Sequence, residues 1–310
     1  MTINVLFSAR DALWPVYQPL LSDGLSAAGL DVRLGRDFAP DEVDYVVYAP
    51  NSALQDFAPY TSLKAVLSLW AGVEQIAGNA TLTVPLARMV DHGLTQGMTE
   101  WVVGHVLRYH LGMDAHIVNP EHAWTPVAPP LAPQRHVTIL GLGALGQAAA
   151  RTLADLGFQV SGWSRSARDL PGIACHHGDA GLQDALATAE ILVLLLPNTP
   201  ATENILNETS LSWLPKGAHI INPGRGPLID DEALLAALDA DHIAHATLDV
   251  FRTEPLPQEH PYWAHPKVTV TPHIASETRP ETAAQVICEN IRRGESGEPL
   301  LHLVDRSLGY

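Results

Sequence analysis

The sequence is poor in cysteine and in positive charge, and it contains no long apolar run. Its two cysteines, Cys175 and Cys288, have no metal-ligand spacing and indicate no disulfide framework, so we expect two ordinary thiols in a reducing cytoplasm and no metal site. No stretch approaches the roughly 18 uninterrupted apolar residues of a membrane-spanning helix. The short apolar run at the N-terminus is typical of a first strand, not of a secretion signal. We therefore expect a cytoplasmic protein with no membrane partner.

Basic residues are outnumbered: 18 Lys and Arg stand against 34 Asp and Glu, which gives a formal net charge of −16. This balance argues against nucleic acid as a partner, because the phosphates would be repelled. A small anionic substrate would have to be captured by locally placed arginines or backbone amides. With 310 residues, of which 46% are hydrophobic and 17% charged, the chain is globular and long enough for two domains.

The segment VTILGLGALG joins an aliphatic run to three glycines and then to a helical pattern. Strand, tight turn and helix in this order are the context in which a G-x-G-x-x-G pattern binds a dinucleotide, although a purely structural turn is the alternative. Gly141 permits the turn, Gly143 lets a pyrophosphate approach the backbone, and Gly146 lets the helix pack closely on the strand. With Ala144 and Leu145, these glycines form the predicted phosphate site at a helix N-terminus.

Short apolar runs alternate with helical or turn-like segments along the whole chain, a pattern typical of parallel α/β units. A long helix is predicted after Thr99 and Glu100. Five prolines in residues 119–135 indicate an arm or linker instead of a core element. The predicted strands are residues 3–7, 43–49, 64–69, 82–86, 137–140, 158–163, 191–196, 218–222, 245–250 and 268–271.

Three loops that follow predicted strands carry candidate catalytic side chains: Arg225, Glu254 and His273. In an open parallel sheet, ligands bind outside the carboxyl ends of the strands, so these side chains are expected to converge. Taken singly, each has an ordinary alternative: a solvated arginine, a surface glutamate, or a histidine satisfied in a core.

The end of the second predicted strand of the glycine-rich unit indicates which nicotinamide cofactor is used. An NAD-selective fold places an acid there, about 20 residues beyond the glycines, to bind the ribose hydroxyls. This chain has no acid at that point but has Ser164, Arg165, Ser166 and Arg168, which are donors suited to a 2′-phosphate. We therefore predict that NADP(H) is preferred, with NAD(H) possible. The alternative for Arg168 is a solvated side chain.

The stretch WAGVEQI, which begins at Trp70, follows a buried run and opens a helical pattern. The backbone amides of Ala71, Gly72 and Val73 are placed to bind a carboxylate at the start of that helix. A simple strand-to-helix turn is an equally good interpretation of these residues alone.

Five motifs in this order resemble the D-isomer-specific 2-hydroxyacid dehydrogenase family over nearly the whole chain, and most closely its glyoxylate/hydroxypyruvate reductase A branch. They are GLGALG, LLLPNTP, NPGRGPLID, LDVF with EPLP, and PHIAS. Three further stretches, SLWAGVEQI, VPLAR and the terminal VDRSLGY, indicate the branch.

The resemblance implies an α/β fold in which a doubly wound, Rossmann-type parallel sheet domain is inserted into a smaller, flavodoxin-like α/β substrate domain. The substrate domain would comprise residues 1–98 and 277–310, and the dinucleotide-binding domain residues 99–276. Trp124, in the proline-rich arm, matches a tryptophan near the dimer contact of related sequences. We expect it to pack in a homodimer interface, where tryptophans are enriched, in preference to an active-site role.

The resemblance also implies roles for the site residues. Arg225 would hold the substrate carboxylate and carbonyl through its planar fork, and His273 would be the general acid. Glu254 would orient the imidazole and favour its protonated form. Asp249 would contact the nicotinamide carboxamide. Two further residues of the cofactor site would be Leu196 and Pro197.

The implied function is NADPH-dependent reduction of small 2-oxo acids, glyoxylate and hydroxypyruvate, to 2-hydroxy acids. Trp70 is a departure from the family pattern, because we expect related sequences to carry a small residue at this position. This indole would line the substrate site and either narrow it or stack on a larger substrate, so the same chemistry on a bulkier 2-oxo acid is one alternative. A non-enzymatic dinucleotide-sensing protein is the other.

Overall fold

The computed structural model describes residues 2–117 and 119–309. The chain folds into two compact units. The first unit comprises Met1–Leu94 together with Glu277–Tyr310, and the second comprises Thr95–Ser276. The second unit is therefore a continuous stretch inserted into the sequence of the first.

The first unit contains a five-stranded, all-parallel sheet with the order β2-β1-β3-β4-β5. This order is the flavodoxin-like one. The central strands β3 and β4 are buried at every position, which explains their continuous apolar sequence. The strands are β1 (Ile3–Ser8), β2 (Val32–Gly35), β3 (Tyr45–Tyr48), β4 (Ala65–Ser68) and β5 (Leu86–Ala87).

Two predictions for this sheet need correction. The strand predicted at 82–86 is only the two-residue β5, because Pro85 has no N–H to donate to a ladder. The edge strand β2 was not predicted, since its four residues are partly exposed and carry no apolar run.

The helices of the first unit include two that pack against each other at opposite ends of the sequence. They are α1 (Trp14–Ala27) and α9 (Pro280–Ser296), and a one-turn helix, α2 (Glu74–Ala77), follows β4. A Cβ on Gly24 of α1 would lie 2.7 Å from Cys288 Sγ of α9, so the close approach of the two helices requires glycine there. The thiol of Cys288 is buried, and burial raises its pKa to about 11.

The second unit contains a seven-stranded parallel sheet with the order β12-β11-β10-β9-β6-β7-β8. Its strands step outwards in both directions from β6, which is the doubly wound arrangement, and the predicted α/β fold class is confirmed. The strand β8 was missed because it is short and polar. The strands are β6 (His136–Leu140), β7 (Gln159–Ser164), β8 (Ala174–His177), β9 (Ile191–Leu194), β10 (Ala218–Asn222), β11 (Ile243–Leu248) and β12 (Val268–Val270).

The long helix α3 (His92–His110) begins earlier than predicted. Asp91 supplies the start, because its carboxylate accepts hydrogen bonds from the amides of Gly93 and Leu94 at 3.1 and 3.3 Å. In residues 2–117 and 119–309 no helix has the length and apolar character that a membrane crossing needs. The other helices are α4 (Asp114–Ile117), α5 (Ala144–Asp155), α6 (Gly178–Ala187), α7 (Glu208–Ser212) and α8 (Asp231–Asp239).

Candidate active site

The glycine-rich turn joins β6 to α5, and each glycine has a separate steric reason. Gly141 has φ = 111°, and a Cβ there would overlap the backbone of Leu195. A Cβ on Gly146 would overlap the carbonyl oxygen of Gly141, so the helix packs on the strand only without one. Gly143 faces open space. The turn therefore has the shape that a pyrophosphate needs to reach the backbone.

The N-terminus of α5 has no side-chain cap. Its N-cap, Gly143, provides no side-chain hydrogen bond, whereas Asn207 caps α7 and Asp230 caps α8 through their side-chain oxygens. Gly143 and Ala144 are exposed, and Leu145 is half-buried. Unsatisfied amides at a helix start attract an anion, which makes this turn a fit for the diphosphate of a dinucleotide.

The loop after β9 packs against the glycine-rich turn. Leu195 donates its amide to the carbonyl of Leu140 at 2.7 Å, and the backbone of Leu195 and Leu196 lies against Gly141, with Pro197 next in the chain. The Thr202 hydroxyl donates to the carbonyl of Pro197 at 2.7 Å and fixes the loop. Sequence reasoning did not single out this threonine.

The polar segment after β7 begins where the strand ends, at Ser164. The Ser164 hydroxyl donates to the carbonyl of Ser166 at 2.8 Å and tightens the turn. Arg165, Ser166 and Arg168 are all exposed. The structure thus places the four predicted 2′-phosphate residues together in one exposed turn.

Arg225 lies in the loop after β10, and a buried asparagine shapes that loop. The side-chain amide of Asn222 donates to the carbonyl of Arg225 at 2.9 Å, and its oxygen accepts from the amide of Gly224 at 3.1 Å. The guanidinium of Arg225 donates to the carbonyl of Gly224 at 2.7 Å. A Cβ on Gly226 would overlap the backbone of Phe251, so this loop lies directly against the loop that carries Glu254.

His273 and Glu254 form a hydrogen-bonded pair. Nδ1 of His273 lies 2.7 Å from Oε2 of Glu254, while Oε1 of Glu254 accepts from the amide of Phe251 at 2.9 Å. An ionised carboxylate only accepts, so Nδ1 carries the proton and Nε2 faces away from Glu254. The imidazole is 53% exposed and can therefore meet a substrate. Its backbone φ of 54° is unusual for a residue other than glycine, a type of strain found at functional sites.

Asp249 is fully buried and holds the loop that carries His273. Its carboxylate accepts from the Thr271 hydroxyl at 2.6 Å and from the amides of Ile274 and Ala275 at 2.9 and 2.8 Å. Its carbonyl oxygen accepts from the amide of His273 at 2.9 Å. Sequence reasoning missed this positioning role, although the position of Asp249 at the end of β11 was apparent. Its predicted contact with a nicotinamide stays a prediction.

Arg252 is a second residue that sequence reasoning missed. Its guanidinium donates to the carbonyl of Ile229 at 2.6 Å, hydrogen-bonds to Asn204, and lies 3.7 Å from carboxylate oxygens of Glu203 and Asp231. It therefore ties the loop after β11 to the chain around β10 and α8.

The predicted carboxylate-binding turn lies in the first unit, after β4. The buried Ser68 fixes the turn. Its hydroxyl accepts a hydrogen bond from the amide of Trp70 at 3.0 Å and donates one to the carbonyl of Trp70 at 3.1 Å. Within the part of the chain that the structure describes, the amides of Ala71, Gly72 and Val73 donate no hydrogen bond. The helix that follows, α2, has only four residues, so these free amides, and not a long helix dipole, are what an anion would meet.

The two tryptophans singled out in the sequence are both accessible. Trp70 is 36% exposed. Trp124 is 95% exposed and lies in the segment 119–131, where the structure has no helix or strand.

Comparison with known families gives one match that covers more than half of the chain. Residues 108–275 match the family described as D-isomer specific 2-hydroxyacid dehydrogenase, NAD binding domain.

Similar proteins cover nearly the whole length. The chain is 39% identical over 289 residues to glyoxylate/hydroxypyruvate reductase A of Yersinia enterocolitica, a match that covers 90% of this chain and 92% of the relative. It is 38% identical over 311 residues to the protein of the same name from Serratia proteamaculans, covering 95% of this chain and 98% of the relative.

Two solved structures resemble the chain closely. One is a D-isomer specific 2-hydroxyacid dehydrogenase from Xanthobacter autotrophicus Py2 in complex with NADPH and MES, with 43% identity, a TM-score of 0.90 and 99% of each chain covered. The other is an NADPH-dependent glyoxylate/hydroxypyruvate reductase from Sinorhizobium meliloti in complex with NADP and sulfate, with 35% identity and a TM-score of 0.85, covering 100% of this chain and 99% of the other.

Proposed function

This chain belongs to the D-isomer specific 2-hydroxyacid dehydrogenase family, and we propose that it reduces small 2-oxo acids, above all glyoxylate and hydroxypyruvate, to 2-hydroxy acids with NADPH. The membership confirms the resemblance found in the five spaced motifs and makes the chain an NAD(P)-dependent oxidoreductase. The observation that carries the proposed reaction is the Glu254–His273 pair at the carboxyl edge of the second sheet.

His273 is the general acid in this proposal. When bound, a nicotinamide cofactor supplies a hydride to the carbonyl carbon of the substrate. His273 gives the proton on Nε2 to the carbonyl oxygen, so that the C=O double bond becomes a C–OH single bond. Glu254 keeps the ring oriented and stabilises the imidazolium, because a carboxylate 2.7 Å from Nδ1 favours the cation.

Substrate binding is assigned to two kinds of donor. The guanidinium of Arg225 binds the carboxylate and carbonyl oxygens, for which its planar fork is suited. The free amides of Ala71, Gly72 and Val73 bind the carboxylate. Trp70 precedes these amides and lines the substrate site.

The cofactor is assigned to the glycine turn and to the exposed segment after β7. Gly141, Gly143 and Gly146, with the amides of Ala144 and Leu145, bind the diphosphate, and the absence of a side-chain cap on α5 supports this. Ser164, Arg165, Ser166 and Arg168 bind the 2′-phosphate. Leu196 and Pro197 line the same turn, and Asp249 contacts the carboxamide. NADPH and NADP in the two similar structures support the preference for NADP(H).

A homodimer is part of the proposal, as is a cytoplasmic location. The arm of residues 119–131 is exposed and carries Trp124, Val127 and Leu131, which are 95%, 72% and 74% exposed. Large apolar side chains at this exposure indicate a partner surface, and a second copy of the chain is the partner we propose. Sedimentation of the wild type and of Trp124→Ser tests it: a monomeric wild type would contradict the dimer.

A panel of 2-oxo acids with NADPH and with NADH tests the function. We expect the highest kcat/KM with glyoxylate or hydroxypyruvate and NADPH. The accessible indole of Trp70 favours one second candidate, the same reaction on a bulkier 2-oxo acid, which the same panel detects. Tight NADPH binding without oxidation of NADPH by any substrate would contradict the enzyme and favour a sensor. Equal or better activity with NADH would contradict the cofactor preference.

A further inference from the structure

Arg88 lies at the carboxyl end of β5, next to the turn that follows β4. The register pairs Val66 with Leu86 and Leu67 with Ala87, and the amide of Met89 donates to the carbonyl of Trp70 at 3.0 Å. Arg88 is thus one residue from the hydrogen bond that joins its strand to the start of the turn at 70–73.

The side of the sheet on which Arg88 lies follows from the alternation of side chains. Leu86 packs in one apolar cluster with Val73 and Ile76, which belong to the turn and to α2. Arg88 is two residues beyond Leu86, so it projects from the same face of the sheet, towards the beginning of α2. Glu74, the first residue of α2, is close enough to act on the charge of Arg88.

The C-terminal segment covers the other side of this arginine. Leu303 pairs antiparallel with Ala87, and the amide of Arg88 donates to the carbonyl of His302 at 3.0 Å, which places His302 opposite Arg88. Burial lowers the pKa of Arg88, and the pKa of His302 is lowered by burial and then by the charge of Arg88. The two side chains therefore lie close enough for their charges to interact.

The guanidinium of Arg88 has no hydrogen-bond acceptor in residues 2–117 and 119–309. Three other arginines of the first unit are held by hydrogen bonds: Arg279 donates to the carbonyl of Gly93 at 2.6 Å, Arg292 binds the carboxylates of Glu289 and Glu298, and Arg306 donates to three backbone carbonyls. The half-buried guanidinium of Arg88 is therefore available to an anion, with which it would make charge-assisted hydrogen bonds.

We propose that Arg88 binds the carboxylate of the 2-oxo acid substrate, together with the free amides of Ala71, Gly72 and Val73. This inference rests on the proposed function. The turn supplies oriented neutral donors, and Arg88 supplies a positive charge in addition to the one that the proposed function assigns to Arg225. Arg88 is thereby a specificity residue: it favours 2-oxo acids over uncharged aldehydes and esters of the same size.

The first test is binding, which needs no turnover. Oxamate, an unreactive analogue with the substrate carboxylate, is titrated calorimetrically into the NADP⁺ complexes of the wild type, Arg88→Gln and Arg33→Gln. Arg33 is the matched control, because it lies on β2 at the opposite edge of the same sheet and its loss changes the net charge equally. We expect Arg88→Gln to weaken oxamate about tenfold to a hundredfold, as for a charge-assisted hydrogen bond, and Arg33→Gln to leave it unchanged. Equal affinity in Arg88→Gln and the wild type, or no oxamate binding by the wild type, overturns the role of Arg88.

The second test separates substrate recognition from a structural role. For glyoxylate, Arg88→Gln should raise KM by a similar factor, while kcat/KM for the uncharged methyl ester of glyoxylate changes less than about twofold. The melting temperature should change little, because the half-buried guanidinium makes no hydrogen bond within residues 2–117 and 119–309. A lower melting temperature with equal losses on both substrates overturns the inference. A wild type that binds oxamate through Arg88 but reduces no 2-oxo acid would refute the proposed function and leave the role of Arg88 intact.

Discussion

The two sheets end in loops of different construction at their carboxyl edges. In the second unit, the loops are held by buried or bridging polar side chains: Asn222 makes hydrogen bonds within its own loop, and Asp249 and Arg252 make hydrogen bonds that cross from one loop to the next. In the first unit, the turn after β4 is fixed by one serine hydroxyl, and its next three amides remain free.

This difference corresponds to two tasks. A proton transfer depends on the position of one imidazole, and Asp249 and Glu254 fix the backbone and the ring of His273. Binding a carboxylate requires only donors and charge, which a short turn and one arginine provide. Substitutions in the second unit should therefore act on turnover and on cofactor choice, with Arg225 acting on substrate binding as well, and substitutions in the first unit should act on substrate binding alone.

Removing the acid should give the largest effect. We expect His273→Ala to lower kcat by about 10² or more, the usual contribution of a positioned general acid, with little change in the dissociation constant of NADPH. Steady-state kinetics and fluorescence titration measure the two quantities. Glu254→Gln, which keeps a hydrogen-bond acceptor but removes the charge, should lose less. A kcat near that of the wild type in His273→Ala would rule out His273 as the acid.

Arg225 should affect both binding and turnover. Arg225→Ala is expected to raise KM and lower kcat, with a combined loss in kcat/KM of about a hundredfold, because one side chain holds both the carboxylate and the reacting carbonyl. Arg225→Lys should recover little, since an ammonium lacks the planar fork. Near-normal kinetics in the alanine variant would contradict the role, and full rescue by lysine would reduce it to charge alone.

Cofactor choice should respond to one carboxylate at the end of β7. Ser164→Asp is expected to lower kcat/KM for NADPH about tenfold and to raise it for NADH, because an acid there binds ribose hydroxyls and repels a 2′-phosphate. The exposed Arg151 of α5 gives a control, Arg151→Gln, that should leave the ratio unchanged. If Ser164→Asp does not change the ratio of the two kcat/KM values, the phosphate site lies elsewhere.

Trp70 should influence substrate size with little effect on the chemical step. Trp70→Gly is expected to change the ratio of the KM values for glyoxylate and for bulkier 2-oxo acids several-fold. The kcat with glyoxylate should stay within about threefold of the wild-type value. The substrate panel, repeated with this variant, measures it. A large fall in kcat with every substrate would mean that the first unit takes part in catalysis and would break the division of tasks.

The smallest expected effect is on how stability depends on pH, through two histidines of the second unit. His219 and His245 are half-buried, and burial lowers the pKa of each to about 4. At a pH between these values and the ordinary histidine pKa, the unfolded chain binds protons that the folded chain does not. The free energy of unfolding should therefore decrease as the pH is lowered from about 6.5 to about 4. Urea titrations at several pH values measure how the free energy of unfolding depends on pH. The slope of this dependence should correspond to about one proton fewer in His245→Asn than in the wild type, and it should be unchanged in the exposed His116→Asn. An unaltered slope in His245→Asn would exclude this histidine as a source.

Much of the fold could be predicted because both sheets have long, fully buried central strands. The elements that were missed lie where this pattern ends: β2 and β8 are short edge strands with polar residues. The true start of α3 could have been found from Asp91, an N-cap residue directly before the helix.

The candidate site was partly predictable for a different reason. Strand ends of a parallel sheet share one edge, so Glu254 and His273 could be expected to meet, and they do. Hydrogen bonds between loops depend on backbone paths that a linear sequence does not contain, so the anchoring contacts of Asp249 and Arg252 were not foreseen. Arg88 was missed because the lack of an acceptor for its guanidinium appears only in three dimensions.

The packing of α1 against α9 has a consequence for synthesis on the ribosome. Leu21 and Leu25 of α1 share an apolar cluster with Ala284 and Ile287 of α9, which are translated more than 250 residues later, and β5 receives its antiparallel neighbour at Leu303 later still. The inserted stretch Thr95–Ser276 contains all the strands of its own sheet and is fully translated before α9. The nascent chain thus carries an incomplete N-terminal unit, with apolar surface open to chaperones, until α9 and the segment after it have been translated.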